Sequence, residues 1–168
     1  MTPLTRVKEV CYNMSDMDEK LVFCGFDPGR DGAAAFLWGD ERLVIPFDRD
    51  AYVTALKSFI DKGFKVSATV EHVGAMPGQG CVSTFNFGVS FGWLQGMLES
   101  LGIPYELVRP QRWKKEFGCT SDKNTSIEVA KRLFPGVDLR RTERCRNDHD
   151  GKAEALLLAA FGKRRGAA

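Results

Sequence analysis

Four carboxylates stand where ordinary packing gives them little reason to be. Asp27 closes the apolar run Leu21 to Phe26, and Glu71 closes the short run Val66 to Val70; both runs have the length and composition of buried strands. Asp150 and Glu154 are four residues apart in NDHDGKAEALLLAAFGKRR, a spacing that stacks two side chains on one helix face near its amino-terminal end. Each acid has a plain structural explanation when taken alone. Asp27 can open an Asp-Pro-Gly turn, and acids at a helix start favour the positive end of its dipole. Together they read differently, because a fold that carries both strand ends to this helix crowds four like charges, which repel unless a cation binds.

An all-oxygen donor set without a Cys or His cluster selects a hard ion such as Mg²⁺ or Mn²⁺. Two such ions roughly 4 Å apart form the clamp that activates water and stabilises the leaving oxygen in phosphodiester cleavage. Groups able to meet a polyanion follow Val108: Arg109, Arg112, Lys114, Lys115 and Lys123 surround Trp113 and Phe117. Cations interleaved with aromatics suit phosphates and exposed bases; a solvated basic surface is the alternative for such a run. The whole chain carries only +2 over 168 residues, so nucleic-acid affinity has to come from this clustering and not from an overall positive field.

The elements that must position these groups can be read in order. Leu21–Phe26 and Ala33–Trp38, joined by the turn cluster Pro28-Gly29-Arg30-Asp31-Gly32, form a β-hairpin, and Arg42–Pro46 adds a third strand that stops at its proline. Asp50 is the expected cap of a helix running to about Lys62, with Tyr52, Val53, Leu56, Phe59 and Ile60 on one face. After the Glu71 strand, His72 to Gly80 is a glycine-rich loop of the kind that contacts substrates. Cys81 to Gly102 follows as a proline-free helix with Gly88, Gly92 and Gly96 four residues apart. That smooth stripe lets another backbone approach, with close packing on the sheet the expected use, and a partner subunit or nucleic acid as alternatives. Tyr105–Val108 is a strand, paired in parallel with the Glu71 strand through the helical crossover.

Ser121 or Asp122 can cap a further helix bearing Ile127, Val129, Ala130 and Leu133. Val137 to Arg146, with four arginines, reads as an exposed linker able to touch a nucleic-acid backbone. Residues 1–19 show no sustained period and are read as a flexible arm before one domain over residues 20–165; Met14 and Met17 allow for a later translation start. The five cysteines are odd in number and widely spaced, so neither a disulfide framework nor a zinc site is indicated. No segment reaches the roughly 20 apolar residues of a membrane span, which suggests a soluble protein of a reducing compartment.

The succession of motifs, FDPGRDGAAAF, then VEHVGAMPGQG with FNFGVSFGWLQG, then RPQRWKKEFG, then DHDGKAEALLLAA, resembles the RNase H-like superfamily and within it the RuvC-type Holliday junction resolvases, especially phage and plant-chloroplast relatives. The resemblance spans about Val22 to Lys163. It implies an α/β fold with a mixed five-stranded sheet, an antiparallel meander plus parallel strands, flanked by helices. It also implies metal ligation by Asp27, Glu71, Asp150 and Glu154, a supporting role for Lys114 and Lys123 on phosphate, and approach to the junction by the loop carrying Met76 and Pro77. Mg²⁺ is the implied cofactor, with Mn²⁺ able to substitute. The implied partner is branched DNA, and two symmetric cuts imply a homodimer, with the Gly88, Gly92 and Gly96 helix as its first candidate interface. The implied place is the cytoplasm of a bacterial or phage-infected cell, or an organelle stroma.

One departure bears on the third ligand. Bacterial members space the last two acids three apart, whereas here they are four apart, and Asp148 and His149 compete with Asp150. Three other readings use the same residues: a nuclease of this fold acting on RNA–DNA hybrids or flaps, a non-catalytic junction-binding protein, and a phosphotransferase of the actin and sugar-kinase type. Length disfavours the last, since the motif has no second copy in the chain.

Overall fold

The computed structural model describes residues 20–72, 74, 78 and 80–166. The amino-terminal arm, Met76 and Pro77 lie outside them. The apolar runs form a meander, β1 (Leu21–Asp27), β2 (Ala33–Trp38) and β3 (Glu41–Pro46), whose neighbours are antiparallel. β4 (Lys65–Glu71) pairs in parallel with the other side of β1, and β5 (Tyr105–Val108) pairs in parallel with β4, giving the order β3-β2-β1-β4-β5. This register decides where the first two acids go. With Phe26 opposite Val70 in a parallel pair, Asp27 and Glu71 emerge at the same carboxyl edge of the sheet.

Parallel pairing needs crossovers. They are α1 (Arg49–Asp61) and α2 (Cys81–Ser100), followed by α3 (Pro110–Phe117), α4 (Lys123–Leu133) and α5 (Asp150–Arg164). Strand alternation sends Val22, Cys24 and Phe26 to one face, where they pack with Tyr52, Leu56 and Phe59 of α1 and Leu94, Met97 and Leu98 of α2. The opposite face carries α5, enclosed by Trp113 and Phe117 of α3 and Val129 and Ala130 of α4. Every residue of α5 from Gly151 to Gly162 is buried.

That depth depends on three small residues at the α5 contact. A Cβ on Gly25 would run into the backbone of Ala155 and Ala159, one on Gly151 into the carbonyl of Asp31, and one on Gly162 into the hydroxyl of Thr69. The helix therefore lies directly on the strands, closer than side chains would permit.

Four expectations are corrected. The cap of α1 is Asp48, whose carboxylate accepts from the Ala51 N–H at 2.9 Å; Asp50 falls inside the first turn because the chain turns helical two residues sooner. Gly88, Gly92 and Gly96 do not pack on the sheet: among the described residues a Cβ at any of them would meet nothing within 4 Å, because α2 turns Leu94, Met97 and Leu98 inward and these three positions away. Trp113 and Phe117 are core residues and not exposed stacking surfaces. Residues 137–146 are not a free linker, for Leu139 is fully buried, Arg140 bridges to Asp148, and the buried Lys152 ammonium donates to the carbonyls of Asp138 (2.6 Å) and Arg140 (2.8 Å). No helix among the described residues is long and apolar enough to cross a membrane.

Candidate active site

The carboxyl edge of the sheet meets the amino-terminal end of α5. Asp27, Asp150 and Glu154 line one cleft of about 300 Å³ together with the Pro28–Gly32 turn, Lys123 and Phe87. Glu71 sits beside it, 6% exposed, with its Oε1 accepting from the buried Trp113 Nε1–H at 3.0 Å. The helix begins at Asp150, after an extended His149, so Asp150 and Glu154 share a face as their spacing requires.

Two lysines reach these acids. Lys114 of α3 pairs with Glu154 at 2.8 Å, and the same Glu154 oxygen accepts from the buried Ser126 hydroxyl at 3.3 Å. Lys123, the first residue of α4, pairs with Asp150. Its helix is capped by Asp122, which accepts from the Asn124 N–H.

The competing residues are directed elsewhere. Asp148 pairs with Lys131 at 2.5 Å. His149 has a buried Nδ1 with no hydrogen-bond partner among the described residues, and it does not line the cleft.

The electrostatics follow from crowding. Burial, then the charges of Glu71, Glu154 and Asp150, push the Asp27 carboxyl well above the usual range, and Lys123 offsets only part of this. Burial, then Glu154, raises Glu71, against the Trp113 hydrogen bond and Lys114. Burial works to raise Asp150 as well, but the hydrogen bond and charge of Lys123 outweigh it and its carboxyl falls below the usual range. The same pairing raises the Lys123 ammonium.

Among the described residues no three acidic, His or Cys side chains already encircle a cation position. Their chemistry nevertheless fits a hard divalent ion: the donors are carboxylate oxygens, and Asp27, held among three other acids, is the group a cation would relieve most.

The remaining basic residues divide. Arg109 and Lys115 are exposed on and beside α3. The Arg112 guanidinium lies over the Phe161 ring at 5.6 Å, towards the far end of α5 from the acids. Sequence reasoning missed three residues: Phe87, which lines the cleft, and Trp113 and Ser126, which hold Glu71 and Glu154. Trp113 reads as an exposed aromatic until its burial is seen, Ser126 lies unremarked in a polar stretch, and Phe87 belongs to a helix whose apolar residues suggest only packing. The one signal in the sequence was the spacing of Ser126 three residues after Lys123, which puts the two on one helix face.

No family model and no curated protein sequence matches the chain. Solved structures do. T. thermophilus RuvC in complex with Holliday junction substrate superposes with a TM-score of 0.54 at 14% identity, over 88% of this chain and 96% of that one. A second Thermus thermophilus RuvC structure gives 0.52 at 16% identity, over 87% and 96%. With its mixed five-stranded sheet and flanking helices, the chain has the α/β, RNase H-like fold of RuvC.

Proposed function

We propose that the chain is a RuvC-type endonuclease that resolves four-way DNA junctions by Mg²⁺-dependent phosphodiester hydrolysis. The observation that carries this reading is the gathering of Asp27, Asp150 and Glu154 in one cleft, with Glu71 against it and Lys114 and Lys123 on its acids. A fold shared with a protein solved on junction DNA supports the choice of substrate.

Asp27, Glu71, Asp150 and Glu154 would hold the divalent ions, which when bound polarise the phosphate and lower the pKa of an attacking water. The chain's own residues do the rest. Trp113 fixes one Glu71 oxygen, Ser126 and Lys114 fix one Glu154 oxygen, and the glycine contacts beneath α5 hold two of the acids against the strand that bears the first. Lys114 and Lys123, whose ammonium groups stand at Glu154 and Asp150, would offer their charge to phosphate oxygens and to charge developing in the transition state.

Paired cuts call for two such sites, and the first half of α2 supports a homodimer. Val82, Phe85 and Val89 are 75%, 71% and 46% exposed, next to the open Gly88, Gly92 and Gly96 positions. Exposed apolar side chains beside a smooth stripe suit a second copy of the same helix.

The test is incubation with synthetic four-way junction, flap, duplex and RNA–DNA hybrid, each with Mg²⁺, Mn²⁺ or chelator. Paired junction cuts that need metal are expected. Preferential cutting of the hybrid would transfer the reading to an RNase H activity, and tight junction binding without cutting in either metal would make the protein a binding module.

A further inference from the structure

Of the four arginines between residues 140 and 146, the fold uses two. Arg140 donates to both oxygens of Asp138, at 2.9 and 2.8 Å, and to the Glu143 carbonyl at 3.3 Å. Arg141 donates to Asp31 at 2.8 Å, and Asp31 belongs to the β1–β2 turn that lines the acidic cleft. Arg144 and Arg146 are exposed, and among the described residues their guanidinium groups have no hydrogen-bond or ion-pair partner.

These two stand on a built loop. Arg140 and Asp148 bridge its ends, the His149 N–H donates to the Leu139 carbonyl at 2.8 Å, and the Cys145 N–H donates to the Thr142 carbonyl at 3.0 Å. Leu139 anchors it in the core beside Ala33, Ala35 and Leu37 of β2, and Arg42 of β3 donates to the Pro135 carbonyl at 2.6 Å where the segment sets out. The acids around the loop are already occupied: Asp138 by Arg140, Asp31 by Arg141 and Asp148 by Lys131. What remains at the tip is two unpaired guanidinium groups against the single carboxylate of Glu143, a net positive surface tied to the lip of the cleft.

We propose that Arg144 and Arg146 form a second phosphate-binding surface, gripping the backbone of the DNA arm that leaves the cleft over the β1–β2 turn, while Arg140 and Arg141 hold the loop in place. The surface rests on the nuclease reading above and says where its substrate is held outside the cleft. Lys114 and Lys123 approach the acids from α3 and α4; this loop brings its cations from over β2 and β3. A guanidinium fork matches a phosphate in geometry as well as charge. Three and five residues beyond Arg141, the two side chains lie within about 10 and 18 Å of it along the chain, so at 3.4 Å of rise per nucleotide the contacted phosphates fall within about five steps of the cleft. Contacts of this kind fix register and orientation without reading sequence.

The experiment uses the full chain in an Asp27→Asn background, with junction binding followed by anisotropy over a salt series. Arg144→Gln and Arg146→Gln should each lower the slope of log K against log salt by about 0.9, one phosphate contact, so that a fourfold rise in salt costs each variant about 3.5-fold less affinity than it costs the unsubstituted loop. Lysine at either position should restore most of the slope. Lys57→Gln removes the same charge from α1, on the other face of the sheet, and should leave the slope unchanged. A neutral methylphosphonate moved along each arm should find a linkage that weakens binding by the unsubstituted loop and not by Arg144→Gln or Arg146→Gln. With Asp27 intact, cutting at saturating protein should be unchanged in both variants, since neither side chain reaches the acids. Unchanged slopes, an equal fall in Lys57→Gln, or no methylphosphonate position whose effect depends on the arginines would each overturn the surface and leave the nuclease reading intact. Failure of the unsubstituted protein to bind or cut junctions would overturn the nuclease reading, and this surface with it.

Discussion

Trp113 donates its indole N–H to Glu71 at 3.0 Å, joining α3 to the end of β4 across 42 residues of chain, with both side chains buried. The bond satisfies a polar atom that burial would otherwise penalise at both ends. It also favours the ionised carboxylate, against the burial and the Glu154 charge that raise Glu71. Trp113→Phe keeps most of the packing and removes the donor. It should destabilise the fold by about 1–3 kcal/mol in denaturant unfolding and move the acid limb of the pH–rate profile for junction cutting to higher pH, because Glu71 then ionises later. An unmoved limb would show that Glu71 ionisation does not govern the rate.

The raised Asp27 carboxyl makes a prediction about stability. A carboxyl that binds its proton more tightly folded than unfolded contributes stability below the ordinary carboxylate range, and that contribution is lost as pH rises through its folded value. Metal-free protein should therefore melt progressively lower across that window, and Asp27→Asn should flatten the trend. Mg²⁺ should restore stability at neutral pH, by about 2.7 kcal/mol at a hundred times its Kd, and the increment should shrink in Asp27→Asn. Thermal melts with Mg²⁺ or chelator at several pH values check all three.

Asp148, Asp150 and Glu154 can be separated by substitution. Asp150 and Glu154 line the cleft, while Asp148 lies before the helix and pairs with Lys131. Asp150→Asn and Glu154→Gln should each lower junction cutting on the order of a thousandfold, several kcal/mol in the barrier. Asp148→Asn should stay within a few-fold of the unsubstituted protein, and junction binding should survive in all three. Loss of cutting in Asp148→Asn alone would transfer the ligand role to that residue.

Gly25 tests how α5 is seated. Gly25→Ala places a methyl group against the backbone of Ala155 and Ala159, which cannot yield as a flexible side chain would. The cost should be about 1–3 kcal/mol or more in denaturant unfolding, and the displaced helix should carry Glu154 out of line and depress cutting further than the stability loss explains. Gly96→Ala, with nothing within 4 Å of the added methyl among the described residues of one protomer, is the control and, in protein dilute enough to be monomeric, should leave stability unchanged or slightly raised.

The sequence by itself determined the strands and every helix except α3, which it offered only as a basic segment, and it singled out four acids. Those are local matters: alternation and length mark strands, 3.6-residue spacing marks helices, and an acid at the end of an apolar run stands out against its neighbours. Asp27 and Glu71 end β1 and β4 as their runs require, and Asp150 opens α5. What only the tertiary structure decided concerns partners distant in the chain. Trp113 looked like an exposed aromatic in a basic run because residue type does not reveal which face of an eight-residue helix turns inward, and α5 claimed that face. The regularly spaced glycines of α2 proved open, while the solitary Gly25, Gly151 and Gly162 proved to be the close contacts. Periodicity along one helix says that a smooth surface exists; whether anything lies against it depends on another element, and that element was fixed by how the whole sheet buries its two faces.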